Sequence, residues 1–269
     1  MTYLDEILDR EAPPPGKLCA ACNVREGSWK CRDCLAEPVQ CLHCFRIHHE
    51  VHPFHRVESW TGDYFAPSWL WKVGIVIYLG HNGKPCPGQP QDSSDHNENN
   101  PDECPNPFSN NQEEHPESTP WDGEDIENDF ETTLEDDPDG LYNETELPDP
   151  PVAYLNGRRV LTYVHSNGIH QLPTSFCGCS GSPPPDIQLL RMGFFPSTAK
   201  VPQTAFAFSL LDDYILENLE CKTSATHYYS KLRRVTSNAF PHKVKVSSRN
   251  SFDPFDFQNF ILGSLPRAS

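Results

Sequence analysis

The sequence has few apolar residues and lacks any long hydrophobic segment. Only 36% of its 269 residues are apolar and 27 are proline, a composition that predicts small ordered units rather than one large continuous core. The longest apolar run, Val73 to Leu79, is too short to cross a bilayer, so we expect no membrane-spanning helix. The first ten residues are acidic and lack the apolar region of a secretory signal, which favours a reducing compartment.

Basic residues are missing from one long stretch of the chain. Between Pro87 and Gly157 the sequence has 21 Asp and Glu but no Lys or Arg, and the other 17 acidic residues face all 21 basic ones. The net charge of −17 is therefore local. Because such a composition buries too little surface to offset the entropy of ordering, we predict a disordered acidic insertion over residues 88–151.

Motifs of common enzyme classes are also missing. The sequence has no Gly-rich phosphate loop and no serine nucleophile elbow. After Glu220 the only acidic residues are Asp253 and Asp256, too few for a nuclease that holds metal ions with several carboxylates. We therefore expect a non-catalytic protein without a small-molecule substrate.

Cysteine, by contrast, is abundant, with 11 residues. In a reducing compartment, Cys-x-x-Cys pairs interleaved with His are more often metal ligands than disulfides. Two intervening residues allow a tight turn that directs both side chains at one ion, and a structural zinc ion needs two such pairs. Four pairs with this spacing follow one another: Cys19 and Cys22, Cys31 and Cys34, Cys41 and Cys44, and His52 and His55.

The alternation of these pairs predicts two cross-braced zinc sites, with the first and third pairs on one ion and the second and fourth pairs on the other. The first site then comprises Cys19, Cys22, Cys41 and Cys44. The second site comprises Cys31, Cys34, His52 and His55. His48 and His49 lie within reach as alternative ligands, and a disulfide knot or unrelated free thiols are the alternative to zinc. Because so small a core cannot fold alone, zinc is expected to supply much of the folding free energy.

A second cysteine cluster is split between distant parts of the chain. Cys177 and Cys179 lie at the end of a predicted strand, where residues two apart share a face. His81 and Cys86 follow another predicted strand, and we hypothesise a third zinc ion held by these four residues. His170 is a further candidate, while free buried thiols and ordinary polar histidines at strand ends are the alternatives. Two cysteines have no evident partner: Cys104 and Cys221.

Local patterns predict elements of both helix and sheet. A strand is predicted over Lys72 to Gly80, and a hairpin is predicted around Ser166-Asn167-Gly168, because Asn-Gly tolerates the positive φ angles of tight turns. Apolar periodicity predicts a helix over Gln203 to Glu220, and Ser224 is a suitable cap for a second helix. Residues 1–17 are predicted to contain a frayed helix followed by a turn.

The region that includes the second predicted helix is basic. Between Lys222 and Arg249 there are seven Lys and Arg and no acidic residue, a pattern that can grip nucleic-acid phosphates. The candidate nucleic-acid-binding residues are Lys231, Arg233, Arg234, Lys243 and Lys245. The alternative is a solvated basic surface. The acidic insertion would compete with DNA for the basic residues.

Residues 18–60 resemble B-box and ZZ zinc modules. The resemblance is carried by the order of the pairs and by Trp29-Lys30-Cys31, Val39-Gln40-Cys41 and His52-Pro53-Phe54-His55. Both modules are cross-braced protein-interaction folds, and neither is an enzyme by itself. A RING domain closes its ligand series with a Cys pair, so the resemblance does not imply ubiquitin ligase activity.

A second resemblance covers roughly residues 60 to 237 apart from the acidic insertion. It is carried by LGHNGKPCP, VLTYVHSNGIHQLPTSFCGC, IQLLRMGFFPSTAKVPQTAFAFSLLDDY and SATHYYSKLRRVT. These segments are similar to the second CxC-type cysteine cluster (CxC2) associated with fungal Kyakuja-Dileera-Zisupton (KDZ) transposases. The resemblance implies a zinc-chelating domain of mobile-element ancestry, which in that family follows a B-box-like finger and precedes an RNase H-like catalytic domain. We see no such catalytic domain in this sequence.

Together these features predict small zinc-stabilised α+β modules. The modules are a cross-braced double finger (18–60) and a hairpin plus two-helix cysteine-cluster domain in two parts (61–87 and 152–240). A flexible segment (1–17), the acidic insertion (88–151) and a tail (241–269) complete the chain. We expect a nuclear, zinc-binding protein, derived from a KDZ transposase, that assists recognition of DNA or of a transposition complex. The alternative is a B-box/ZZ-like adaptor that binds protein and no nucleic acid.

Overall fold

A computed structural model describes residues 2–12, 16, 18–88, 153–237 and 244. The predicted acidic insertion apart from Gly88, and the predicted tail apart from Val244, lie outside the described residues. No helix in the described part of the chain is long and apolar enough to span a membrane.

The described residues contain both helices and strands. The α-helices are α1 (Tyr3–Glu11), α2 (Leu42–His49), α3 (Pro185–Arg191), α4 (Phe208–Cys221) and α5 (Ala225–Thr236). The strands are β1 (Trp29–Cys31), β2 (Val57–Trp60), β3 (Phe65–Ser68), β4 (Ile77–Leu79), β5 (Tyr154–Leu155), β6 (Arg158–His165), β7 (Gly168–Phe176), β8 (Phe194–Pro196) and β9 (Thr204–Ala207). Two 3-10 helices lie at Leu70–Val73 and His81–Gly83. This mixture agrees with the predicted α+β class.

Residues 18–68, which we call the cysteine-rich module, contain a three-stranded antiparallel sheet in the order β1-β2-β3. Helix α2 packs Phe45 against Trp29 of β1, with ring centroids 5.6 Å apart. Strands β2 and β3 pair with each other, from Val57 opposite Ser68 to the turn after Trp60. The predicted domain boundary at residue 60 therefore lies within a hairpin.

A six-stranded sheet contains both parts of the predicted cysteine-cluster domain. Its strand order is β4-β7-β6-β9-β8, and β5 pairs with β6. Strand β4, which precedes the acidic insertion, pairs in parallel with β7, which follows it, so that Leu79 lies opposite Phe176. The two parts, which are far apart in sequence, are hydrogen-bonded neighbours in the fold.

The predicted hairpin is confirmed as β6 and β7, with Ser166 and Asn167 in the turn. Gly168 has a φ of +140°, and a Cβ atom at this position would lie only 2.9 Å from Oγ1 of Thr236. That hydroxyl accepts a hydrogen bond from the Ile169 N–H at 2.7 Å. The end of α5 is thereby docked against the start of β7.

One predicted helix is shorter than its periodicity indicated. Helix α4 begins at Phe208 rather than Gln203, because residues Thr204–Ala207 form β9. Strand β9 hydrogen-bonds with β6 on one side and β8 on the other, so strand pairing outweighs the local helical pattern. The helix ends where Lys222 takes a left-handed conformation with φ 56°.

Two other predicted helices are confirmed. Helix α5 begins after Ser224, whose Oγ accepts the N–H of His227 at 3.3 Å. Helix α1 begins after Thr2, which exchanges hydrogen bonds with Asp5: the Thr2 N–H donates to Oδ2 at 2.6 Å, and Oγ1 accepts the Asp5 N–H at 3.3 Å. This reciprocal arrangement is a capping box, which stabilises the first turn of a helix.

The strand predicted over Lys72 to Gly80 is mostly replaced by other structure. Residues Leu70–Val73 form a 3-10 helix that ends at Gly74, where φ is +84°. Only Ile77–Leu79 are extended and paired. The left-handed glycine turns the chain so that the strand starts later than the apolar run.

The two sheets share one apolar core. Trp29 and Phe45 of the small module belong to the same buried cluster as Tyr163 of the large sheet. Phe54 completes the junction, with its ring centroid 5.5 Å from those of both Tyr163 and Phe194. The cysteine-rich module, which the sequence predicted as a separate unit, is thus packed against the large sheet.

Candidate metal centres

The first group of candidate ligands is Cys19, Cys22, Cys41 and Cys44, whose Sγ atoms all lie within 4.8 Å of one another. Cys19 and Cys22 lie in a tight turn closed by the bond from the Asn23 N–H to the Cys19 carbonyl at 2.8 Å. Cys41 is the N-cap of α2 and Cys44 lies in its first turn. The sequence predicted these four residues as one site, and the structure brings them together.

The second group is Cys31, Cys34, His49 and His55, again with ligand atoms within 4.8 Å of one another. The Sγ of Cys34 lies 3.7 Å from Nε2 of His49 and 3.5 Å from Nδ1 of His55. Burial lowers the pKa of both histidines. Burial thus favours the neutral imidazole, which is the form that binds metal ions.

One member of the second group differs from the prediction, since His49 occupies the position expected for His52. His49 is the last residue of α2 and is buried. Its Nδ1–H donates to the Phe45 carbonyl at 2.9 Å, which leaves the Nε2 lone pair directed at the cysteines, as is typical of metal-binding histidines. His52 is exposed and stacks on His55 at 4.7 Å. His48, the other alternative, hydrogen-bonds with Gln40 at 2.8 Å.

The third group is His81, Cys86, Cys177 and Cys179, the set that the sequence predicted for a third ion. Nε2 of His81 lies 3.2 Å from Sγ of Cys177 and 3.5 Å from Sγ of Cys179. Sγ of Cys86 lies 3.4 Å from Sγ of Cys179. Compared with the other two groups, this one is more exposed, since only Cys86 is buried.

The parallel pairing of β4 with β7 places the parts of the third group side by side. His81 follows β4 and Cys177 follows β7, and these strands end opposite each other. Gly80, at φ +101°, allows the close approach, since a Cβ atom there would lie 2.9 Å from Cβ of Cys177. Gln188 of α3 holds the cysteine loop: its Oε1 accepts the Cys177 N–H at 2.7 Å and its Nε2 donates to the Cys177 carbonyl at 3.0 Å. Sequence reasoning missed Gln188, because nothing local marks it.

The remaining candidates lie outside the three groups. His170 is buried, and burial lowers its pKa to about 3. Its Nε2 donates to Oδ1 of Asn167 at 3.1 Å, so it has a structural partner instead of a metal neighbour. Cys221 is exposed, and Cys104 lies outside the described residues.

Backbone N–H groups and neighbouring thiols set the pKa values of the cysteines. Burial raises the pKa of Cys19, but backbone hydrogen bonds, chiefly from Cys22, outweigh this effect and lower it to about 6. The Gly178 N–H contributes most to lowering the pKa of Cys86 to about 6. The thiol of Cys86 contributes most to raising the pKa of Cys179 to about 11. The thiols of Cys19 and Cys86 therefore ionise more readily than an ordinary cysteine, and a bound cation would further favour thiolates in these groups.

The loop of the second group is fixed to the large sheet by Asn167, another residue that sequence reasoning used only as a turn signal. The Asn167 Nδ2–H donates to the Phe54 carbonyl at 2.5 Å, and Oδ1 accepts from Nδ1 of His165 at 2.8 Å. The ring of Phe54 stacks on that of His165 at 5.3 Å. The geometry of the second group is therefore coupled to that of the β6–β7 hairpin.

The structure describes three of the five predicted nucleic-acid-binding residues. Lys231 forms ion pairs with Glu217 and, at 3.9 Å, with Asp213, both on α4. Arg233 and Arg234 lie in the last turn of α5, while Lys243 and Lys245 lie outside the described residues. The basic stretch, which has no acid of its own, is therefore partly neutralised by acidic residues of the preceding helix.

Comparison with known families adds one match, and it coincides with the hairpin, α4 and α5. Residues 151–240 match the CxC2 like cysteine cluster associated with KDZ transposases. The predicted resemblance is confirmed for this CxC2 segment, which covers about a third of the chain and includes Cys177 and Cys179. No curated protein and no solved structure matches the chain. The likeness of residues 18–60 to B-box and ZZ modules stays a prediction.

Proposed function

We propose that this protein is a non-catalytic recognition module that is derived from a KDZ-type transposase and organised by three zinc ions. The observation that carries the proposal is that each Cys/His group contains four protein ligands. A structural zinc site uses four protein ligands, whereas a catalytic site keeps one position open for water or substrate. Four ligands in each group leave no such position.

Zinc is the metal that best fits the donor atoms. The three groups offer four thiols, two thiols with two imidazoles, and three thiols with one imidazole. Thiolate and imidazole ligands in tetrahedral sets suit zinc, while magnesium and calcium prefer oxygen ligands. None of the groups includes a carboxylate, which supports zinc over the oxygen-seeking ions.

The match of the CxC2 segment supports a role beside a transposition complex, and we propose a nuclear location on the same grounds. The structure adds that the CxC2 segment does not stand alone. Strand β4 and the third group join it to the residues before the acidic insertion, and Phe54 joins it to the cysteine-rich module. We propose that this combined surface, rather than either part alone, is what a partner recognises.

Metal analysis of the purified chain tests the proposal, and we expect three zinc ions per chain. The variant Cys177→Ser with Cys179→Ser is expected to retain two, because it removes half of the third group. His49→Ala is also expected to retain two, whereas His52→Ala is expected to retain three. Inductively coupled plasma mass spectrometry after exhaustive dialysis measures these numbers.

The histidine pair is a matched control, since His49 ends α2 and is buried, whereas His52 follows three residues later and is exposed. If His52→Ala loses an ion and His49→Ala does not, the assignment of the second group is wrong. A wild-type chain that binds fewer than two ions would overturn the proposed function itself.

A second candidate function is that of an adaptor that binds protein and does not touch nucleic acid. It is favoured by the pairing of Lys231 with Glu217, which removes one cation from the predicted DNA patch. A phosphate contact releases condensed counterions, so each contact adds about −0.9 to the slope of log affinity against log salt. Freeing Lys231 should therefore change the slope if DNA is bound.

We expect weak, sequence-independent duplex binding that tightens in Glu217→Gln, with a slope more negative by about 0.9. Glu220→Gln, on the same helix but outside the ion pair, is the control and is expected to leave the slope unchanged. Arg233→Ala with Arg234→Ala is expected to make the slope shallower. Fluorescence anisotropy at several salt concentrations gives the slopes, and no binding by any variant at low salt would favour the adaptor.

A further inference from the structure

Helix α1 exposes apolar side chains that the fold does not use. Tyr3, Leu4, Ile7 and Leu8 are 93%, 62%, 59% and 59% exposed, respectively. Their spacing places them on one face, since residues four apart form adjacent rows on a helix. Single exposed apolar residues are ordinary on protein surfaces, but a contiguous group is typical of an interaction site.

The helix is preformed even though its apolar face is not packed. A helix of nine residues is only marginally stable in isolation, and two features stabilise this one. The first is the capping box between Thr2 and Asp5. The second is an ion pair at its last residue, where Oε2 of Glu11 lies 3.1 Å from Nζ of Lys30.

The ion pair fixes the end of α1 to the cysteine-rich module. The side chain of Lys30 is 3% exposed, and its Nζ also lies 3.2 Å from Oε2 of Glu58 and 4.5 Å from the centre of the Phe65 ring. Glu11 is therefore paired with a buried cation that has a second carboxylate partner. The apolar side chains of the helix remain exposed to solvent.

The charge of α1 indicates the kind of partner. Its sequence contains four acidic residues and one basic residue: Asp5, Glu6, Asp9, Glu11 and Arg10. An acidic helix is repelled by anionic membranes, and pairing with a second copy would bring two acidic helices together. The apolar face and net negative charge of α1 are instead complementary to an apolar groove bordered by Lys and Arg.

We propose that α1 is a docking helix that inserts Tyr3, Leu4, Ile7 and Leu8 into an apolar, basic-rimmed groove of another protein. The buried Lys30 sets the direction in which the helix is presented. Because the helix is already formed, binding does not incur the full entropic cost of folding a disordered segment. This surface is separate from the three Cys/His groups, so it functions whether or not the CxC2 segment contacts the same partner.

Photo-crosslinking of the full chain tests the proposal. A benzoylphenylalanine placed at Leu8 is irradiated in an extract of cells that express the protein. The same group at Leu35 is the control, since Leu35 lies outside α1 and is 97% exposed. We expect a cross-link from position 8 only, to an apolar segment flanked by Lys and Arg in a different protein. A synthetic peptide of residues 2–12 should compete, and the same peptide with Leu4→Asp and Ile7→Asp should compete at least tenfold less well.

Binding of the captured protein, once purified, to full-chain variants completes the test. Leu4→Asp with Ile7→Asp should raise the Kd at least tenfold with unchanged zinc content, Leu35→Asp should leave it within twofold, and higher salt should weaken binding of the wild-type chain. The proposal is overturned by a cross-link to a second copy or to the same chain, by binding of the chain to lipid vesicles through α1, or by equal cross-linking from positions 8 and 35. Equal affinity of the wild-type and double-variant chains would overturn it as well.

Discussion

If the three groups hold zinc as proposed, removal of the metal is expected to unfold residues 18–68 and to loosen β4 from the large sheet. A structural zinc ion contributes about 10–16 kcal/mol to the folding of a small domain, which is comparable to the whole stability of a typical protein, about 5–15 kcal/mol. The small module has only short strands and one eight-residue helix around its two groups, so little else holds it. Hydrogen exchange and circular dichroism, with and without a high-affinity zinc chelator, measure the change.

The effect should extend beyond the module because the two sheets share a core. When the loop of the second group unfolds, Phe54 leaves Tyr163 and Phe194, whose rings it contacts. We expect faster amide exchange in β6 and β8 as well as in β1 to β3. Added Zn²⁺ should restore the protection and Mg²⁺ should not, since magnesium binds oxygen ligands. An unchanged melting curve after complete removal of zinc would contradict this prediction.

Replacement of Asn167 by Ala is expected to lower the free energy of unfolding by about 2–4 kcal/mol. Each hydrogen bond contributes about 1 kcal/mol, and a buried polar group left without a partner costs about 1–3 kcal/mol. Asn167 accepts from two histidines and donates to the Phe54 carbonyl, and its loss leaves the buried His170 without this acceptor. Urea denaturation monitored by tryptophan fluorescence gives the difference.

Ser166→Ala is the control, because Ser166 lies in the same turn but does not bridge to the cysteine-rich module. Its Oγ lies 3.5 Å from Nδ1 of His165, and we expect its replacement to cost less than about 1 kcal/mol. Both variants should retain three zinc ions. If the Asn167 variant is as stable as the Ser166 variant, the turn does not hold the two sheets together.

The sequence predicts the Cys/His groups well where ligand spacing is a local property. A Cys-x-x-Cys turn brings two thiols together whatever surrounds it, which is why the cysteines of the first two groups could be paired in advance. His52 was chosen by the same rule of spacing, but the structure places His49 there because α2 continues through it. A helix brings residues four apart to one side, so Phe45 and His49 both face inward. The signal was the helical pattern of Leu42 to His49.

Long-range pairing sets the limit of what could be predicted. The β6–β7 hairpin is local, and its turn residues identify it. Strand β9 is not local: its partners β6 and β8 make it extended although its own sequence favours a helix. The junction of Phe54 with the large sheet likewise depends on residues more than a hundred positions away, and no ligand pattern marks this contact as the Cys and His residues marked the third group.

The pairing of β4 with β7 also determines what the chain can tolerate between them. Gly88 and Ala153, the described residues on either side of the acidic insertion, both belong to segments anchored on one sheet, through the third group and β5 respectively. The entropy lost when a flexible loop closes grows only with the logarithm of its length, so a doubling costs about 0.6 kcal/mol. On the sequence prediction that the insertion is disordered, residues could therefore be gained or lost at this point over evolutionary time with almost no change in the stability of the scaffold.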